Sequence, residues 1–372
     1  MKKKAEANLR ADEIDPGIFC MLRCPTCCNA EMELNDDDHL NCSSCGENYL
    51  KIGDSPVYSL LKENSGTAIK ADIQVWWGDL YRQLYAEHET TYTPETLVAA
   101  LEELEEMFRV RRHLAGMEFP VGDITEKKIL EIGPGGGGHS ALFKKHGADV
   151  TAVDITAERA LGTNIKLMLV PSGLGRAYQA DAENLPFQDN SFDIVYSNGV
   201  LHHSEDTDRC IDEVYRVLKP GGQAFIMLYS RHSATYWLNI LPRALITGEF
   251  FRWPEAQWVG RLTEGTPKFS EVRNPITRIY SERQLRKLFS DFDIQSLRKG
   301  SFQFDNFCIP RLTQIRNAIF SLFGRKPHRG GILVYGQPYQ TETVLELFLG
   351  RFIGFAWNIV AKKHSGKMEA AL

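Results

Sequence analysis

Beyond Lys127 the chain alternates short apolar runs with stretches of helical period, the pattern of a parallel sheet covered on both faces. The runs place strands at 129–132, 150–154, 177–180, 194–197 and 224–229, with a later pair at 292–297 and 356–361. The predicted fold class is therefore α/β, a doubly wound and mostly parallel seven-stranded sheet. Residues 70–118 read as two helices. In the second, Thr93 suits the N-cap and Pro94 the first helical position, and Leu97, Leu101, Leu104 and Phe108 lie on one stripe. The first carries Ile73, Trp76, Trp77, Leu80, Tyr81 and Leu84; core packing is its plain reading and a lid over a substrate its sharper one.

Two stretches interrupt the alternation, 231–277 and 303–354, the first rich in Trp, Tyr, Phe and Arg. Connections that long usually carry function, so substrate recognition is expected there. The resulting division is 18–60, a segment with paired cysteines; 70–118, a helical connector; and 121–363, the main domain with its two insertions.

The net charge of -5 argues against broad contact with nucleic acid, which a basic balance would favour. Two basic clusters, at 109–113 and 325–329, keep RNA or an anionic lipid surface open, although a solvated face is the plain reading of each. Met1-Lys2-Lys3-Lys4 is followed by Glu6, Asp12, Glu13 and Asp15 where a signal peptide would be apolar. The longest apolar run, 344–361, is broken by Glu346 and Arg351, so no transmembrane segment is expected, and peripheral contact with a membrane is left open. With no secreted disulfide pattern, a reducing, cytoplasmic location is expected.

The candidate chemistry starts at Glu131-Ile132-Gly133-Pro134-Gly135-Gly136-Gly137, a strand running into a glycine-rich turn, with Asp154 ending the next strand. Glycines allow a tight turn and close approach to a ligand, and the carboxylate is placed for ribose hydroxyls. Gly133, Gly135 and Gly138 also fit a dinucleotide fingerprint, so the loop alone leaves two cofactors open. Glu131 would repel a pyrophosphate and suits a cofactor that carries an ammonium and a sulfonium. Two further motifs follow, Asp181-Ala182-Glu183-Asn184-Leu185-Pro186-Phe187 with Ser191-Phe192-Asp193, and Arg216-Val217-Leu218-Lys219-Pro220-Gly221-Gly222.

Over 127–229 these motifs, in this order, resemble the class I S-adenosylmethionine-dependent methyltransferases, in particular the branch related to ubiquinone and menaquinone biosynthesis. The resemblance implies a Rossmann-like fold, with Gly133, Gly135 and Gly137 wrapping the methionine part of S-adenosylmethionine near Glu131. Asp154 would take the ribose, Asp181 the adenine amino group and Ala182 the ring through its backbone. Ser197 and Asn198 would border the methionine end. Pro134 departs from the family, which often has Cys or Ala there, yet keeps an extended backbone. A vestigial cofactor site in a non-catalytic scaffold and a nicotinamide oxidoreductase are the competing readings.

On the acceptor side His202, within Gly199-Val200-Leu201-His202-His203, is a candidate base, and the recurrence of that pattern in the family favours a structural or cofactor-bordering role. His232 and Tyr236, after the fifth strand, are candidates for gripping the acceptor. The expected acceptor is a small molecule or a lipid- or glycan-linked metabolite, with RNA as the alternative.

Cys24-Pro25-Thr26-Cys27 and Cys42-Ser43-Ser44-Cys45 stand fourteen residues apart. Two such turns aim four thiolates at one ion and leave no open position, the signature of a structural Zn2+ site. Cys28 reads as a bystander, and Cys20, Cys210 and Cys308 as buried thiols. The segment resembles the zinc ribbons of small methyltransferase-activating subunits, which leaves a protein or RNA partner for the ribbon open.

Overall fold

The computed structural model describes residues 21–29, 32–35, 39–62, 66–85, 91–119, 121–263, 270–305, 307, 309 and 311–365. Cys20, Cys308 and the Met1–Lys4 segment lie outside the described residues.

A small antiparallel sheet, β1 (Met32–Leu34), β2 (Leu40–Cys42) and β3 (Asn48–Tyr49), carries the paired cysteines. Next come α1 (Ala68–Leu84) and α2 (Pro94–Val110). Thr93 caps α2, its hydroxyl accepting from Thr96 N while Thr96 Oγ1 accepts from Thr93 N, with Pro94 inside the first turn. Leu97, Leu101, Leu104 and Phe108 are all buried, as their spacing requires.

The main sheet comprises β4 (Lys128–Ile132), β5 (Asp149–Asp154), β6 (Leu174–Gln179), β7 (Phe192–Asn198), β8 (Leu218–Tyr229), β9 (Phe292–Gly300) and β10 (Ala356–Lys363) in the order β6-β5-β4-β7-β8-β10-β9. The first five strands are parallel, and β10 slots antiparallel between β8 and β9. This is the doubly wound, mostly parallel, seven-stranded sheet that the alternation predicts. The third strand ends at Gln179 and begins at Leu174, earlier than the 177–180 expected, because a half-exposed edge strand has little apolar pattern to read. The fifth begins at Leu218, inside the motif expected to be a turn. The layers over the sheet include α3 (Gly138–Lys145), α4 (Ala157–Leu169), α5 (Thr207–Val217) and α6 (Glu282–Leu288), while the second insertion supplies α7 (Leu312–Leu322) and α8 (Val344–Ile353).

The cysteine segment does not stand apart. Leu22 pairs with Phe187, Arg23 N donates to Pro186 O at 3.0 Å, and Asn184 Nδ2 donates to Pro25 O at 2.8 Å. The strand-like piece around Ser59 then lies parallel to the outer edge of β6, with Leu60 N donating to Gln179 O at 2.7 Å and Gln179 N to Tyr58 O at 3.0 Å. Edge groups that would otherwise be unpaired are thereby satisfied.

Between α2 and the sheet, the Phe108 ring stacks on His113 at 4.2 Å and on His139 at 4.9 Å between centroids. Phe108→Ala should therefore leave a cavity beside two buried imidazoles and cost about 3–5 kcal/mol in chemical denaturation. A loss below 1 kcal/mol would show that this layer does not hold the helix.

Candidate active site

A cleft of about 430 Å³ opens at the carboxyl ends of β4, β5, β7 and β8. At its floor β4 passes into the glycine-rich turn, where Gly133, Gly135 and Gly137 have φ of +71°, +60° and +78°. A Cβ on Gly133 would stand 2.4 Å from a Val200 methyl, so both the left-handed backbone and the close approach require glycine there. Gly137 N donates to Pro134 O at 2.9 Å and closes the turn into α3.

Asp154 lines the cleft, and its Oδ1 accepts from Thr156 N and Thr156 Oγ1, both at 2.9 Å. Burial pushes this carboxyl up, against the pull of nearby Arg159. Asp181, Ala182 and Asn198 line the same cleft. His139 Nε2 is buried without a hydrogen-bond partner among the described residues, a polar atom placed for a ligand, while Asn198 lies beside the His113 imidazole.

Glu131 sits beneath the cleft and not on its wall, 1% exposed. The Ser140 hydroxyl donates to its Oε2, and His139 Nδ1 stands 3.7 Å from Oε1. Burial pushes the carboxyl up to about 8. Ser197 is likewise off the wall, its hydroxyl donating to Ile132 O at 3.0 Å across β7 and β4, and Gly137 is packed on Thr163.

Helix α1 closes one side. Its Trp77, Leu80 and Leu84 line the cleft while Trp76 and Tyr81 are buried, so the helix both packs and covers. Lys70 Nζ reaches Asp181 Oδ2 at 2.7 Å and Glu183 Oε2 at 2.8 Å, and Asp181 Oδ1 accepts from Glu183 N. Burial works against the ammonium, but the hydrogen bonds it donates to Asp181 and Glu183 outweigh this and hold Lys70 charged. Trp77 is also held from the sheet side by Arg159, whose guanidinium stands 5.2 Å from its ring centroid.

The far wall is built from distant parts of the chain. Arg111 is buried, with its guanidinium 4.2 Å from the Tyr339 ring, a hydrogen bond to Tyr335 Oη and Glu342 Oε1 at 3.4 Å. Tyr335, Gln337 and Asn358 complete that side.

Residues 130–226 match a family model described as a methyltransferase domain. A ubiquinone biosynthesis O-methyltransferase of Pseudomonas entomophila is 32% identical over 199 residues, covering 47% of this chain and 80% of the relative. A protein of the same description from an Azoarcus species is 30% identical over 177 residues, covering 42% and 73%. This chain belongs to the class I S-adenosylmethionine-dependent methyltransferases. A solved structure of a methyltransferase from Methanosarcina mazei is 22% identical with a TM-score of 0.42, spanning 65% of this chain and 94% of that one.

In this methyltransferase the two adjacent histidines part company. A short 3-10 turn over Leu201–His203 puts His203 on the cleft, 4.8 Å from the Trp77 ring centroid and with Nδ1 2.9 Å from Thr277 Oγ1. The His202 ring is buried behind that wall, 4.1 Å from the His203 ring and 4.0 Å from Tyr229 between centroids, with both nitrogens unpartnered among the described residues. Burial holds it neutral, far below the usual histidine range, so the structure does not support His202 as the base. His232 is exposed off the cleft, with its carbonyl accepting from Lys299. Tyr236 is buried in a separate apolar cluster with its hydroxyl on Glu255 Oε1 at 2.9 Å. Neither lines the cleft.

Sequence reading missed Lys70, Arg111, His113, His139, Tyr335 and Asn358. For α1 a signal existed, since 70, 73, 77, 80 and 84 recur at helical spacing as a second face. The 109–113 cluster divides: Arg109 is solvated on Glu106, whereas Arg111 and His113 point inward.

The raised pKa of Glu131 fixes a pH dependence. Below pH 4.5, the ordinary value, folded and unfolded chains both hold the proton; between 4.5 and about 8 only the folded chain does, so stability falls across that window. Glu131→Gln removes this loss. Its melting temperature relative to the parent should rise from pH 5 to pH 8.5, and a constant difference would contradict the assignment.

Proposed function

We propose that this methyltransferase moves a methyl group by in-line displacement to a small-molecule, lipid- or glycan-linked acceptor held between His203, Tyr229 and the Arg111 wall. The observation that carries the reading is one cleft with two chemically different ends. One end has the glycine turn, Asp154 and Asp181, and the other a buried guanidinium among Tyr335, Gln337 and Asn358. Its volume of about 430 Å³ suits a small ligand. The ubiquinone biosynthesis relatives are O-methyltransferases, which supports a hydroxyl acceptor.

When bound, S-adenosylmethionine supplies an electrophilic methyl on a sulfonium. The residues fit it: the turn at Gly133 admits no side chain, and His139 Nε2 wants a partner at the cleft wall. In this reading the Gly133–Gly135 turn cradles the methionine part, with Glu131 behind it, and Asp154 accepts the ribose hydroxyls. Asp181 and the Ala182 backbone read the adenine, with Lys70 fixing the Asp181 carboxylate.

On the acceptor side the imidazoles are poor proton acceptors, since burial holds His139 and His203 down at about 3 and His113 well below its ordinary range. Catalysis then rests on positioning and on excluding water, with the hydroxyl proton lost to solvent before the acceptor is enclosed and Arg111 favouring the anion that remains. Arg111→Met should lower kcat/KM roughly a hundredfold with cofactor affinity little changed. Asp154→Ala should abolish heat in calorimetric titration with S-adenosylmethionine. Incubating extracts with methyl-labelled cofactor identifies the acceptor, and the absence of both binding heat and labelled product would overturn the reading.

For the cysteine segment we propose a structural Zn2+ held by Cys24, Cys27, Cys42 and Cys45. The four sulfurs lie within 4.8 Å of one another, with Cys24–Cys45 at 3.7 Å and Cys27–Cys42 at 3.6 Å. A tetrahedral ion with Zn–S near 2.3 Å sets its sulfurs about 3.8 Å apart, so the arrangement fits. The purified protein should hold one zinc per chain, and Cys24→Ser or chelation should lower the melting temperature. Full stability with no bound metal would refute the site.

A further inference from the structure

Three segments carry large apolar side chains into solvent. Residues 236–253 expose Ile246 by 80% and Phe251 by 78%; α7 exposes Leu322 by 85% and is followed by Phe323, exposed by 83%; α8 exposes Val344 and Phe352. Single exposed apolar residues are ordinary, but grouped aromatic and aliphatic residues on neighbouring segments mark an interaction surface.

The segments are tied to one another. Arg316 of α7 pairs with Glu346 of α8, Nη2 to Oε2 at 3.0 Å. Lys299 Nζ donates both to His232 O at 2.6 Å, just before the first segment, and to Phe352 O at 3.1 Å, near the end of α8. Phe355, directly after α8, packs against the cluster of Tyr236, Ile240 and Trp258. Its N–H donates to the carbonyl of Ser301, which lines the cleft, so this surface adjoins the site.

The charge on the segments is one-sided. Their two carboxylates are buried and paired, Glu249 with Arg261 and Arg273, and Glu346 with Arg316. The exposed charges of 236–253, 311–329 and 344–353 are Arg252, Arg311, Lys326, Arg329 and Arg351, all basic, in a chain whose net charge is -5; of these Arg329 faces Glu103 of α2 at 3.9 Å.

We propose that these three segments form a surface that seats on an anionic lipid bilayer. The apolar side chains enter the boundary between headgroups and acyl chains while the guanidinium and ammonium groups meet the phosphates. A second copy of this chain fits less well, because a two-fold contact would set one basic patch against another. RNA would use the basic groups and leave the aliphatic side chains in water. A cleft beside a bilayer can take an acceptor whose apolar tail stays in the membrane. The docking itself is tested without turnover, so it stands or falls apart from the acceptor assigned above.

The test sediments the full chain with vesicles of phosphatidylcholine alone and of phosphatidylcholine mixed with phosphatidylglycerol. Binding to the mixed vesicles, weakened by salt and accompanied by a blue shift in tryptophan fluorescence, is expected, since Trp237 and Trp253 are exposed on the first segment. The double substitutions Ile246→Ser with Phe251→Ser, and Leu322→Ser with Phe323→Ser, should each lower partitioning about tenfold or more. Melting temperature and S-adenosylmethionine binding should not change in either. Failure to sediment with the mixed vesicles would overturn the proposal, as would sedimentation indifferent to both double substitutions. Light scattering that reveals a dimer broken by the same substitutions, or RNA binding that they remove, would overturn it in favour of those partners.

Discussion

The strand order reverses at β4, and that reversal opens the cleft on which everything else depends. β5 and β6 run out to one side of β4, while β7 and β8 run out to the other. The connections leaving the carboxyl ends of β4 and β7 must therefore diverge, and a crevice is left between them. The glycine turn at one lip and Asn198 and Val200 at the other are consequences of this geometry. So is the demand for glycine at position 133, where the two lips come within a methyl group of each other.

Around that crevice the chain spends its polar residues under cover. Glu131, His139, His113 and Arg111 are all buried; burial leaves Glu131 holding a proton that water would remove at neutral pH and keeps His139 and His113 neutral well into acid. An interior of neutral imidazoles and a neutral carboxyl, with the guanidinium of Arg111 balanced by Glu342, costs less than one of isolated charges. It also means that the electrostatics of the site depend on what enters it. A cationic ligand near Glu131 favours ionisation, and an anionic one meets Arg111.

Much of the scaffold was legible in the sequence because it is local. Strands buried on both faces announce themselves as apolar runs, Thr93 and Pro94 announce a helix start, and two CxxC turns announce a sulfur cluster. The far wall of the cleft was not legible, because it is assembled from Arg111, Tyr335 and Asn358, which no periodicity links. The pair His202 and His203 failed for a different reason. The two rings lie 4.1 Å apart, His203 on the cleft and His202 directly behind it, and no pattern of composition says which one faces the cleft. Tyr236 looked like a residue of the cleft because it follows a strand end, whereas the apolar cluster around Trp258 gave it somewhere else to go.

The segment Asp181-Ala182-Glu183-Asn184-Leu185-Pro186-Phe187 faces two ways. Its first residues look into the cleft, while Asn184, Pro186 and Phe187 hold the cysteine-bearing module, which in turn continues along the margin of β6. This module is accordingly poor material for truncation. A shortened chain beginning at α1 would keep every residue of the cleft, but it would leave β6 with a bare hydrogen-bonding border and an uncovered Phe187. Such a border recruits strands from other molecules, so the trimmed protein would be lost to aggregation before its chemistry could be measured.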